Sequence, residues 1–286
     1  MGLVNDRKSV SEFIDWIIDA NLSMVSDFEI ISMITQKKIR LPIITNWIRK
    51  GEIIERARKS DVGEIYCSEK DISYITDFSK IDKYGRANRP QESRFYGAIA
   101  SEKVESLIFV LFAELAGRYD EIIDENFQTT LTVGKWRVKD HIEVADICFS
   151  KDYSKVEFIQ KKIIDWERKL IGTELDTYEN RQLLNLFSEE FSKTLIRNHN
   201  DYKISATYSA YVTNENGING VMYPSVKTDF EGVNVVLTPQ IVDERLELIK
   251  AGIFRFGINN GKLYGEQVNT TSTFGKANAD FIWDLN

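Results

Sequence analysis

Histidine is nearly absent from this 286-residue chain, which has only His141 and His199. That count excludes catalysis by several histidines and any multi-histidine metal centre. Cysteine is as scarce, with Cys67 and Cys148 far apart. Two isolated thiols make no disulfide framework, fit no zinc-ligand spacing and suit a reducing compartment. No Gly-x-Gly-x-x-Gly, no phosphate loop ending in Gly-Lys-Ser/Thr and no Gly-x-Ser-x-Gly occurs, which removes the common nucleotide and serine-hydrolase signatures. Long apolar runs are missing too. The longest lies near Leu107 to Leu115, far short of the ~18 residues of a membrane span. The first thirty residues carry Asp6, Arg7, Lys8, Glu12, Asp15 and Asp19. That stretch is too charged for a secretory signal, so the expectation is a cytoplasmic protein with no membrane partner. The formal charge of −7 argues against broad nucleic-acid binding, which needs a basic surface.

What remains is an ordinary globular composition, 43% hydrophobic and 28% charged, enough to bury a core without staples. Residues 9–60 read as helices. Ser9 with Glu12 and Ser26 with Glu29 have capping-box spacing. Phe13, Trp16, Ile17 and Ala20 repeat along one helical face. Pro42 suits a first helical turn, followed by Ile43, Ile44, Trp47 and Ile48, and Gly51 breaks the pattern. The stretch Trp47–Lys59 holds Arg49, Lys50, Arg56, Arg58 and Lys59. It reads as the solvated basic face of a packing domain, with a DNA-binding helix-turn-helix as the competing reading. The polar stretch from Lys59 to Gly63 looks like a boundary.

From residue 85 the pattern is mixed. Phe95–Ile99, the segments around Leu131 to Val144, and Gly232–Leu237 read as strands. Glu102–Leu115 and Tyr178–Arg197 read as helices. Long helices irregularly mixed with short strands predict an α+β fold, with a small helical domain over 1–60, a linker over 61–84 and a larger domain over 85–286.

Two segments could carry chemistry. In the first, Gly85-Arg86-Ala87-Asn88-Arg89-Pro90, two guanidinium groups flank an asparagine in a loop, and Tyr96 follows on a strand. Arginine forks suit phosphate oxygens and a tyrosine can stack on a flat ring. This makes the loop a dinucleotide contact, or else a solvated loop beside a core tyrosine. In the second, Gly220 to Ser225, Pro224 pins a turn feeding a strand. The Ser225 hydroxyl then serves a ligand or only closes an ST-type turn.

Together the segments resemble the RES domain, named for an arginine, a glutamate and a serine. Arg86, Asn88, Pro90 and Tyr96 match its first motif; Gly220, Tyr223, Pro224, Ser225, Gly232 and Asn234 match its last. Between them Val133-Gly134-Lys135-Trp136 resembles a family strand, so the likeness spans about residues 85–245. The sequence departs from the family at the glutamate. Leu107 stands where the glutamate belongs, Glu105 is the nearest carboxylate, and Glu114 lies later in the same helix.

The resemblance implies an ADP-ribosyltransferase-like mixed sheet core and a toxin of a bacterial toxin–antitoxin pair that depletes NAD by hydrolysis or phosphorolysis. NAD is then the substrate, with inorganic phosphate as co-substrate for phosphorolysis and a helix-turn-helix antitoxin as partner. No metal or resident cofactor is expected, and a homo-oligomer stays open. The implied catalytic residues are Arg86 on the phosphates, Tyr96 against nicotinamide or its ribose, Glu105 toward the sugar cation and Ser225 toward the ribose or amide. Asn88, Arg89, Tyr223 and Asn234 complete the NAD contacts. Two competing readings are transfer of ADP-ribose to a macromolecule and a degenerate module that binds a nucleotide or partner without turnover.

Overall fold

The computed structural model describes residues 5–60, 64–104, 106–118, 122, 124, 127–259, 262–274 and 280–283. The fold is α+β, begins with helices, and divides into two compact units, each discontinuous in sequence. Unit 1 comprises Met1–Asn46, Asp77–Ser93 and Glu143–Val226; unit 2 comprises Trp47–Thr76, Arg94–Ile142 and Lys227–Asn286.

Unit 1 opens with α1 (Arg7–Asp19) and α2 (Asp27–Gln36). The Ser26–Glu29 capping box forms as the spacing predicts, satisfying two orphan donors at once. The Ser9–Glu12 box does not. Asp6 caps α1 instead, accepting from the Ser9 amide, because the helix starts earlier than expected. Val10, Phe13 and Ile17 form the buried stripe of α1. Later come α5 (Glu157–Leu170), α6 (Tyr178–Ser192) and α7 (Lys203–Ala210), with every residue of α7 buried. Rings of Phe187 and Tyr208 stack at 4.3 Å and pin α6 to α7. The segment Gly220–Pro224, expected as a turn, is strand β6, buried at all five positions. It runs parallel to β5 (Ile142–Asp146), with Ala145 opposite Val221.

Among the described residues, six strands lie wholly within unit 2. These are β2 (Ile53–Ser60), β3 (Phe95–Ile99), β4 (Gln128–Val138), β7 (Val233–Leu237), β8 (Leu246–Asn259) and β9 (Lys262–Thr271), in spatial order β7-β3-β2-β4-β8-β9. Every pairing in this ladder is antiparallel.

The helix expected beyond Pro42 is overturned. Thr45–Ile48 forms strand β1 and Ile53–Ser60 forms β2, with Gly51 at φ 92° in the turn between them. A positive φ is where glycine costs least, and the paired isoleucines on either side suit a pleated surface better than a helix. The basic stretch Trp47–Lys59 is therefore no helical face, and Arg56 is buried.

Helix α4 (Leu107–Ala116), shorter than the expected Glu102–Leu115, lies over one face of the unit 2 sheet. Its Leu107, Val110, Leu111 and Phe112 pack with Ala57, Ala98, Leu131, Val133 and Phe256. The opposite face carries Trp136, fully buried and edge-on to Phe95 at 5.0 Å.

Candidate functional site

In unit 1 the Arg86 loop is a tight, bonded turn. The Gly85 amide donates to the Asn88 carbonyl at 3.0 Å, and Ala87 is fully buried beneath it. The half-buried Arg86 reaches the C-terminal end of α6. It donates from Nη1 to the Phe191 carbonyl at 2.7 Å and from Nη2 to the Lys193 carbonyl at 3.0 Å. These are carbonyls that a helix end leaves without intrahelical partners. The guanidinium carbon also lies 5.0 Å from the Tyr202 ring centroid. A guanidinium has five N–H donors, so three remain after these two bonds, with no partner among the described residues. Burial pushes the nearby Tyr153 phenol up, with the Arg86 charge opposing.

Arg89, expected at the phosphates, is engaged by carboxylates: it pairs with Asp27 and Glu92, each at 3.4 Å. Asn88 donates from Nδ2 to the Arg89 carbonyl at 3.1 Å. Tyr223 is buried on β6 with its ring 5.0 Å from that of Phe191. Ser225 follows β6 and is fully buried.

In unit 2 the ladder decides which residues share a face. Ala98 on β3 stands opposite both Asn234 on β7 and Glu55 on β2, and Glu55 stands opposite Lys135 on β4. Directly opposed residues point the same way, and so do residues two apart on a strand. Tyr96, Asn234, Glu55 and Lys135 therefore lie on one face of the sheet, the face that α4 covers. Glu114, on α4, accepts from Asn234 Nδ2 at 2.7 Å. Glu105, the first candidate for the family glutamate, lies outside the described residues.

Sequence reading missed Glu55. It is 8% exposed and pairs with Lys135 Nζ at 2.6 Å. The two line a cavity of about 270 Å³ that also takes in Ser106 and Lys250. Nothing local marks Glu55, because apolar and polar residues in Ile53-Ile54-Glu55-Arg56-Ala57 come in pairs and do not alternate. On the other face Arg56 is fixed by backbone oxygens: Nε donates to the Ile72 carbonyl at 3.1 Å and Nη1 to the Tyr96 carbonyl at 2.7 Å. Burial and the neighbouring Arg58 charge lower its pKa to about 10.

Among the described residues no group of three or more His, Cys, Asp and Glu side chains is placed to hold a metal ion. No described helix is long and apolar enough to cross a membrane. No protein-family model matches the chain, and no curated protein matches it significantly.

Proposed function

We propose that this chain consumes NAD by breaking the bond between nicotinamide and its ribose. The Asn234–Glu114 hydrogen bond carries the reading. It joins a residue of the last motif to a helix-borne carboxylate 120 positions earlier in the chain. As the C–N bond breaks, its electron pair leaves with nicotinamide and positive charge grows on the ribose. A carboxylate fixed in place stabilises that charge without reorganising, and it can take the proton of an attacking water. The oxygen of water or phosphate then forms the new bond to the ribose carbon.

Glu114 is exposed at the end of α4, so a substrate can reach it, and its amide partner limits its orientation. Tyr96 shares the sheet face with Asn234 and offers a ring for the nicotinamide or its ribose. In unit 1, Arg86 keeps three donors after capping α6. Arg89 is engaged by two carboxylates and takes no part in the proposed chemistry.

The test is nicotinamide release from NAD by the full chain, with and without inorganic phosphate, beside Glu114→Gln. Release that the variant loses supports the reading, and dependence on phosphate separates phosphorolysis from hydrolysis. Tagged NAD appearing on a protein or nucleic acid instead would make the reaction a transfer. Thermal stabilisation by NAD without any release would make the chain a binding module.

A further inference from the structure

A second cavity lies wholly within unit 1, enclosed by α2, α6 and α7, with a volume of about 170 Å³. Its walls are apolar and aromatic, from Ile30 and Ile34 of α2 and the stacked Phe187 and Tyr208. A cavity of about 150 Å³ suffices for a benzene ring. Thr35 in this lining donates to the Ile31 carbonyl at 2.9 Å, and two further polar groups interrupt it. Thr207 lines the cavity and is 2% exposed, and its hydroxyl has no hydrogen-bond partner among the described residues. A helical threonine ordinarily bonds a carbonyl three or four residues back. Thr213 does so, donating to the Ser209 carbonyl at 3.0 Å. Thr207 leaves that option unused, which is costly for a buried group unless something else takes the bond.

The second polar group is Glu215, exposed and lining the same cavity, with no ion-pair partner among the described residues. Between them α7 passes into a π-helical turn over Tyr211–Glu215, and Tyr211 also lines the cavity. Such turns are uncommon and recur at functional sites. Thr207 and Glu215 are eight residues apart along α7 and its π-helical turn.

We propose that this cavity binds a small aromatic amine with a polar group at the far end of its ring. The ring lies between the isoleucines of α2 and the Phe187–Tyr208 stack. The ring substituent, a hydroxyl or its equivalent, meets the Thr207 hydroxyl, and the ammonium meets the Glu215 carboxylate. An arylethylamine with a para hydroxyl carries the hydroxyl at one end and the ammonium at the other. The site uses none of the residues assigned to NAD.

The probe is tyramine, titrated calorimetrically into the full chain. Phenylethylamine tests the hydroxyl and 4-hydroxyphenylacetate tests the charge. Tyramine is expected to bind saturably and about tenfold more tightly than phenylethylamine, the value of one hydrogen bond. Thr207→Val keeps the shape and removes the hydroxyl. It should erase that preference and, by removing an unpaired buried group, raise the melting temperature of the free protein by about 2 °C. Glu215→Gln, at an exposed position, should weaken both amines about two- to fivefold. No saturable tyramine binding, a preference that survives Thr207→Val, or equally tight binding of 4-hydroxyphenylacetate would each overturn the proposal.

Discussion

Arg86 Nη1 donates to the carbonyl of Phe191, 105 residues later in the chain, at 2.7 Å. The bond, with its neighbour to Lys193, makes Arg86 the cationic cap of α6, whose last turn has no basic residue of its own. A cation there also complements the helix dipole. Arg86→Ala should therefore lower stability by about 2–3 kcal/mol in urea unfolding, whatever it does to NAD. Arg86→Lys retains a charge near the helix end but loses the fork. If Arg86 also holds phosphate, the lysine variant stays folded and shows a KM for NAD raised about tenfold, with kcat changed much less. Unchanged kcat and KM in the folded lysine variant would leave Arg86 a helix cap and nothing more.

Glu114 and Asn234 separate in the same way. Glu114 is exposed, so Glu114→Gln should shift stability by no more than about 0.5 kcal/mol. Nicotinamide release should fall by about two to three orders of magnitude. Asn234 is 7% exposed, and Asn234→Ala should cost about 1 kcal/mol of stability as well as activity. A Glu114→Gln enzyme with undiminished turnover would take the carboxylate out of the reaction.

These residues show what the sequence could and could not disclose. Strands β3 and β7 were legible because Phe95–Ile99 and Val233–Leu237 are short runs rich in aromatic or β-branched residues. The Ser26 cap was legible because its partner is three residues away. Strands β1 and β2 were not: Pro42, Ile43, Ile44, Trp47 and Ile48 satisfy a helical period as well as a strand, and only strand pairing, which for β2 is the ladder with β4, decides between them. Glu55 was lost with that misreading. The Asn234–Glu114 contact depends on how α4 lies over the sheet, which follows from its packing on Ala57, Ala98 and Val133 and leaves no trace in local spacing. The π-helical turn after α7 is equally silent, since nothing in Tyr211–Glu215 distinguishes it from another turn of α-helix.

Glu190 gives a prediction about pH. It lies in the last turn of α6, and burial pushes its carboxyl above the usual carboxylate range, with Lys193 opposing. The folded state thus holds this proton more tightly than the unfolded chain, whose value is near 4.5. The contribution of Glu190 to stability is fully present below that value and is lost as pH rises through the raised folded value. Glu190→Gln cannot ionise and escapes the loss. It should be more stable than the parent by up to about 1 kcal/mol at neutral pH, with the advantage gone near pH 4. Urea midpoints at the two pH values measure this, and an advantage that grows on acidification would reverse the assignment.

Glu55 and Lys135 predict an asymmetry. Their side chains are joined at 2.6 Å but are unequally exposed, 10% for Glu55 and 41% for Lys135. Removing the carboxylate leaves an ammonium that already reaches water, so Glu55→Ala loses mainly the ion pair. Removing the ammonium leaves a carboxylate on the covered face of the sheet with no other described partner. A stranded buried charge costs more than the pair contributed. Lys135→Ala should therefore destabilise unit 2 by about 2–3 kcal/mol and Glu55→Ala by about 1 kcal/mol or less. In the double variant most of the Lys135→Ala penalty should disappear, because no charge is left unpaired. Equal costs for the two single variants, adding without interaction in the double, would mean that water reaches Glu55 freely and that the cavity beside it is solvated.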